Sequence, residues 1–192
     1  MVKGSQFERW VGQKLSLWWT DGLRDDVFWR STASGARATL RSKKGQRTSN
    51  SCGDITTIDP GGQPLLDLVV IELKRGYNAF SVADLLDQPA RAKEQLWEQW
   101  FRRADEVGRT AGTLGWWLIS RRDRRLPLLF LPKALLKALL PAASYDAVLR
   151  PCLTLCYGNS AVVGAPLDCF LRQVTPDRVR QAVAGKGERG SS

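Results

Sequence analysis

The sequence contains no histidine among its 192 residues. A Ser-His-Asp triad, a Cys-His nucleophile and every zinc site with histidine ligands are therefore excluded. Any catalysis must use carboxylates, lysine, serine, tyrosine or cysteine. The cysteines lack the paired CxxC spacing of a zinc or redox motif, so we expect reduced, small apolar core residues. They are Cys52, Cys152, Cys156 and Cys169.

Long apolar runs are also missing. No segment reaches the ~18–20 uninterrupted apolar residues that cross a bilayer, and the first ten residues, MVKGSQFERW, have no apolar signal core. We therefore expect a cytoplasmic protein with no membrane partner.

Positive charge is in excess. The chain has 29 Lys and Arg against 19 Asp and Glu, a net charge of +10 and a pI near 9.9. This balance favours a polyanionic partner, with nucleic acid as the first candidate. A membrane surface or a ribosome is equally compatible with the charge alone.

The apolar pattern predicts a mixed α/β domain in which helices cover a central sheet. Helices are predicted at residues 5–19, 82–106 (interrupted by Pro89), 133–140 and 176–184. Strands are predicted at residues 27–30, 54–58, 65–74, 114–120, 128–131, 153–157, 161–164 and 169–171. We expect one domain at 1–184, with a core at about 3–131, a C-terminal extension at 132–184 and a disordered tail at 185–192.

The runs 54–58 and 65–74 are separated by the turn-forming segment DPGGQP, which predicts a β-hairpin. Its second strand is apolar on both faces until its end, as expected in the middle of a covered sheet. If the hairpin is symmetric about Gly62, position 52 pairs with 72 and position 54 with 70. Asp54 then becomes a diagonal neighbour of Glu72.

Glu72 and Lys74 place an acid and a base side by side. Because side chains alternate along a strand, both project from one face, about 6–7 Å apart. Carboxylates such as Asp54 and Glu72 repel each other unless a proton or cation lies between them, and their oxygens suit Mg²⁺ or Mn²⁺. Such a metal binds a phosphate oxygen and acidifies a water, which Lys74 can orient. The pattern predicts phosphodiester hydrolysis.

A segment rich in Ser, Thr, Gly, Arg and Lys, residues 31–51, precedes Asp54. Loops of this length are uncommon unless they are functional or mobile, and clustered cations suit phosphate contacts. The candidate DNA-binding cations here are Arg37, Arg41, Lys43, Lys44 and Arg47. A second candidate patch consists of Arg121, Arg122, Arg124 and Arg125.

Four motifs occur in an order that resembles the PD-(D/E)XK nuclease superfamily: GS-x-FER, a strand ending in Arg-Ser, GDI and ELK. Within it, the order is most similar to archaeal-type Holliday junction resolvases and phage-encoded resolvase-like endonucleases. The resemblance covers about residues 3–120, and Gly53 stands where the family name has Pro.

This resemblance implies a restriction-endonuclease-like fold, with a central mixed sheet flanked by helices, an α-β-β-β-α-β core and C-terminal additions. It also implies Mg²⁺, with Mn²⁺ as a substitute, a DNA substrate and a homodimer that cuts two strands symmetrically. The implied metal ligands are Asp54, Glu72 and Glu8. Lys74 and a serine, Ser31 or Ser34, complete the implied catalytic set, and Arg30 contacts the scissile phosphate with that serine.

Several of these residues have structural alternatives. Ser5 and Glu8 match a helix capping box, and Glu72 and Lys74 could form only a salt bridge. Asp59 precedes a turn and Asp67 has the opposite strand parity, so we exclude both from the site. The pairs Trp18-Trp19 and Trp116-Trp117 could stack on bases, although packing in a core is favoured.

Two other functions stay open at this level. The chain could be a nuclease with another substrate, such as a mismatch-nicking, restriction or RNA-directed enzyme. It could also be a non-catalytic nucleic-acid-binding protein on the same fold.

Overall fold

The computed structural model describes residues 3–31, 52–87, 94–140, 148–157 and 160–189. The helices are α1 (Lys3–Trp19), α2 (Gln63–Leu68), α3 (Leu96–Ala111), α4 (Lys133–Leu139), α5 (Leu167–Gln173) and α6 (Pro176–Arg189), with 3₁₀ turns at Pro60–Gly62 and Val82–Leu85. The strands are β1 (Phe28–Arg30), β2 (Ile55–Thr57), β3 (Val69–Arg75), β4 (Gly115–Arg121), β5 (Leu128–Pro132), β6 (Leu153–Tyr157) and β7 (Ser160–Pro166). No helix within these ranges is long and apolar enough to span a membrane.

Five strands form one mixed sheet in the order β3-β4-β5-β7-β6. β3 and β4 are parallel and every other neighbouring pair in this sheet is antiparallel. β1 and β2 form a separate antiparallel ladder with Arg30 opposite Ile55. The α/β fold class predicted from the sequence is confirmed.

Helices cover both faces of the sheet. Side chains alternate along a strand, so Trp117 of β4 packs on the α1 side and its neighbour Trp116 packs on the α3 side. α3 begins with a capping box between Gln95 and Glu98, and ends at Gly112 in the left-handed conformation. Burial on both faces explains why β3 is apolar throughout most of its length.

The predicted hairpin between residues 54–58 and 65–74 is wrong. β3 pairs with β4, β2 pairs with β1, and residues 65–68 belong to α2. The reason is local: Pro64 stands in the first turn of α2, where proline favours a helix, and the buried Leu65 and Leu68 have helical spacing. Gln63 also donates a 2.8 Å hydrogen bond to Asp67 one turn later.

Three further predictions need correction. Residues 169–171 lie in α5 rather than a strand, because Leu167, Phe170 and Leu171 bury one helical face. α6 continues to Arg189, five residues beyond its predicted end at Ala184, so the first part of the expected disordered tail is helical. All four cysteines are free, but Cys169 is the one that is buried, and Cys152 and Cys156 are exposed.

Candidate active site

The free edge of β3 holds Asp54. The Asp54 N–H donates to the Ile71 carbonyl oxygen (2.8 Å), and the Leu73 N–H donates to Asp54 Oδ2 (2.8 Å). Since Glu72 lies between these two partners, the hydrogen bonds bring both carboxylates to one strand. The sequence predicted this proximity through the wrong pairing.

Gly53 allows this approach. Its φ is +93°, and a Cβ added there would lie 2.8 Å from the Ile71 carbonyl oxygen and 2.9 Å from Val70 Cγ1. Only glycine adopts this conformation readily and tolerates such close backbone contact. Gly53 therefore allows Asp54 to pack against the edge of β3.

Glu72 and Lys74 lie on the same face of β3, with Lys74 Nζ 3.2 Å from Glu72 Oε2. Both side chains are largely buried. Burial raises the pKa of Glu72 above its ordinary value of 4.5 and the charge of Asp54 raises it further, while Lys74 lowers it in part. The structure therefore confirms that Asp54, Glu72 and Lys74 lie close together. Glu72 and Lys74 also form an ion pair within this cluster.

Glu8 of α1 lies beside Arg30, at the end of β1. The helix packs closely on β1 at Gly12, where an added Cβ would lie 3.0 Å from the Phe28 carbonyl oxygen. Burial and then the charge of Asp54 raise the pKa of Glu8, and Arg30 lowers it. Arg30 Nη1 lies 3.9 Å from Glu8 Oε2. This ion pair places the Glu8 carboxylate beside the end of β1.

Because α1 already includes Lys3 and Gly4, Ser5 lies inside the helix rather than at its N-cap. Ser31 follows β1, and its N–H donates to the Asp54 carbonyl oxygen (2.8 Å). Ser34 and the predicted cations of the 31–51 segment lie outside the described residues.

Sequence reasoning missed two neighbours of Glu72. Arg103 of α3 lowers the pKa of Glu72. The sequence feature that could have identified Arg103 is its position three residues after Trp100, at the margin of the buried face of α3. Cys52 is half-buried, and both burial and the charge of Glu72 raise the pKa of its thiol. Its position two residues before Asp54 was the available signal.

The residues excluded from the site are confirmed in structural roles. Asp59 accepts a hydrogen bond from the Gly61 N–H, caps the first 3₁₀ turn and pairs with Arg24. Trp19, Trp116 and Trp117 are buried, and Trp18 donates to the Val174 carbonyl oxygen at 2.9 Å. The packing interpretation of the tryptophans is confirmed.

The carboxylates fit a hard divalent cation by their chemistry. Burial and then the charge of Asp54 raise the pKa of both Glu72 and Glu8, so a cation bound near these carboxylates would relieve their repulsion. Within the described ranges, however, no group of three Asp, Glu or Cys side chains is arranged as a ready metal site. Asp54 and Glu72 are the pair that could hold such an ion.

A family model described as "Phage putative PDDEXK endonuclease" matches residues 1–152. The matched range includes α1, β1, β2, β3, α3, β4 and β5, which carry or support every residue of the site, and it ends just before β6. No curated protein and no solved structure matches the chain. Because the family model covers 152 of 192 residues, the chain belongs to this family of phage PDDEXK endonucleases.

Proposed function

We propose that the chain is a Mg²⁺-dependent endonuclease that hydrolyses phosphodiester bonds in DNA. The observation that carries this proposal is the convergence of Asp54, Glu72 and Lys74 at the free edge of β3. If the role of Lys74 were only to form a salt bridge, a single carboxylate beside it would be enough. Burial and then the charge of Asp54 raise the pKa of Glu72, and a cation held between the two carboxylates would relieve their repulsion.

Asp54 and Glu72 would hold the metal, and Glu8 of α1 would contribute a third carboxylate. Bound Mg²⁺, or Mn²⁺ in its place, would supply a Lewis acid that acidifies a water and polarises the phosphate. The Lys74 ammonium would orient the attacking water and stabilise negative charge on the phosphorus oxygens. Arg30 and Ser31, at the end of β1, would contact the scissile phosphate.

Branched DNA, such as a four-way junction, is the substrate that we propose first, with duplex DNA second. The proposal rests on the motif order of the sequence and on the net charge of +10, which suits a polyanion. A homodimer belongs to the same proposal, because symmetric cleavage of two strands needs two sites. A panel of four-way junction, duplex, nicked and single-stranded DNA, with matched RNA, tests the substrate.

The central test is cleavage by purified protein with Mg²⁺ or Mn²⁺. We expect Lys74→Ala and Glu72→Gln to lower the cleavage rate on the order of 10²–10⁴-fold, with DNA binding largely retained. The matched controls are Lys137→Ala on α4 and Asp67→Asn on α2, which alter exposed residues of the same charge. Both controls should cleave at the wild-type rate.

Calorimetric titration with Mn²⁺ gives a readout that does not depend on cleavage. Wild type should bind the ion and Glu72→Gln should bind it more weakly, whereas Asp67→Asn should match wild type. Full activity of both Lys74→Ala and Glu72→Gln would refute the site. Absence of both Mn²⁺ binding and cleavage in wild type would favour a non-catalytic nucleic-acid-binding protein.

A further inference from the structure

A cavity of about 200 Å³ lies beside the proposed active site. Ser120 of β4 contributes to its wall and is the strand partner of Lys74 in the parallel β3–β4 register. Paired residues of neighbouring strands project to the same face of a sheet, so the cavity adjoins Lys74 at the carboxyl ends of these strands.

Aromatic rings and cations line the cavity together. Phe80 is 41% exposed and Trp97 is buried, and both belong to the wall with Arg122 and Arg125. The nearby carboxylate of Asp123 pairs with Arg75 (3.6 Å). Neither Arg122 nor Arg125 has an ion pair within the described part of the chain, so both are available to an anionic ligand.

Ser120 adds a polar group to this wall. It is 8% exposed and belongs to the wall of the cavity. A hydroxyl group can both donate and accept a hydrogen bond, so it suits either kind of polar group on a ligand that enters the cavity. No part of the proposed hydrolysis uses this group.

We propose that the cavity receives one unpaired nucleotide of the DNA substrate. The inference rests on the proposed function and adds a substrate feature, an unpaired nucleotide next to the cleaved bond. A cavity of about 150 Å³ holds a benzene ring, so this volume suits one nucleobase. The base packs against Phe80 and Trp97, its edge bonds to the Ser120 hydroxyl, and its phosphate contacts Arg122 and Arg125.

The test measures binding by fluorescence anisotropy with the full chain in EDTA, which prevents metal-dependent cleavage. Two labelled DNA duplexes share one sequence, and one of them carries a short bulge of unpaired nucleotides. We expect wild type to prefer the bulged duplex on the order of tenfold. Phe80→Ala should remove most of this preference, and Phe80→Tyr, which keeps the ring, should retain it.

Arg122→Ala and Arg125→Ala should each weaken binding of the bulged duplex more than binding of the paired duplex. Arg124→Ala is the matched control, since Arg124 lies in the same turn and outside the cavity wall. It should weaken both probes equally. Thermal melts establish that each variant is folded.

Equal affinity of wild type for the two duplexes overturns the inference, as does failure to bind either one. An unchanged preference in Phe80→Ala overturns it as well. None of these results depends on cleavage, so the nuclease proposal is tested separately by the cleavage rates of Lys74→Ala and Glu72→Gln. Loss of preference in Phe80→Ala and its retention in Phe80→Tyr support the cavity.

Discussion

Substitution of Gly53 by alanine tests how Asp54 is held against β3. The new Cβ would lie 2.8 Å from the Ile71 carbonyl oxygen and 2.9 Å from Val70 Cγ1. Both atoms belong to a buried strand that also pairs with β4. They cannot move away freely, so the segment carrying Gly53 and Asp54 must shift instead.

Two effects contribute to the loss of stability. A left-handed backbone conformation costs an L-residue about 1–2 kcal/mol, and overpacking of this kind costs about 1–3 kcal/mol. Together they lower the free energy of unfolding by about 2–5 kcal/mol. For a chain of this size, that corresponds to a drop in Tm of about 4–20 °C.

The matched control is Gly112→Ala at the end of α3. Gly112 also has a positive φ, +72°, but an added Cβ there has nothing within 4 Å. The effect of alanine on the unfolded chain is similar in both variants, so their difference isolates the contact with β3. We expect Gly53→Ala to be less stable than Gly112→Ala by about 1–3 kcal/mol.

Thermal unfolding by circular dichroism, together with cleavage, measures both consequences. Displacement of Asp54 should lower the cleavage rate of Gly53→Ala on the order of 10²-fold, whereas Gly112→Ala should cleave normally. If the two variants melt at the same temperature, the close approach of Gly53 to β3 is absent. Normal cleavage by a destabilised Gly53→Ala would separate Asp54 from catalysis.

Two carboxylate substitutions give the remaining predictions. Because the folded-state pKa of Glu72 is raised above 4.5, the folded state binds more protons than the unfolded state between 4.5 and the raised pKa, and stability falls as pH rises through that window. Without metal, Glu72→Gln should therefore have a higher melting temperature than wild type at about pH 8 and nearly the same melting temperature at about pH 4. A lower melting temperature of the variant at about pH 8 would contradict the predicted direction of the effect. Glu8→Gln should lower the cleavage rate without lowering Tm, because α1 begins before Ser5 and does not need Glu8 as a cap. A clear loss of Tm would instead indicate that Glu8 caps the helix.

The spacing of apolar residues predicted the helices and strands correctly where it fitted only one of the two structures. The three- and four-residue spacing of Phe7, Val11 and Leu15 identified α1, and the apolar runs of β4 and β5 identified those strands. Prediction failed at Leu65 and Leu68, because a short apolar run fits a strand and a helix equally well. Its helical state depends on Pro64 and on burial that a local pattern does not reveal.

The site residues divide in the same way, into those that a local pattern predicts and those that only packing brings together. The types and spacing of Glu72 and Lys74 follow from one strand, since alternation alone places them on one face. Asp54, Glu8 and Arg103 come from other elements, and their distances to Glu72 depend on packing. The place of Arg103 beside the buried face of α3 was a local signal, but it did not identify Glu72 as the group whose pKa this cation lowers.

The sequence by itself determined the chemistry that the chain can support. The absence of histidine excluded a Ser-His-Asp triad, a Cys-His nucleophile and zinc sites with histidine ligands, and the motif around Asp54, Glu72 and Lys74 predicted a nuclease of the PD-(D/E)XK superfamily. Tertiary structure alone decided that Asp54 reaches β3 through Gly53 rather than through a hairpin turn. The physical reason is that strand pairing joins residues distant in sequence, and close backbone contacts select among pairings that local patterns leave equal.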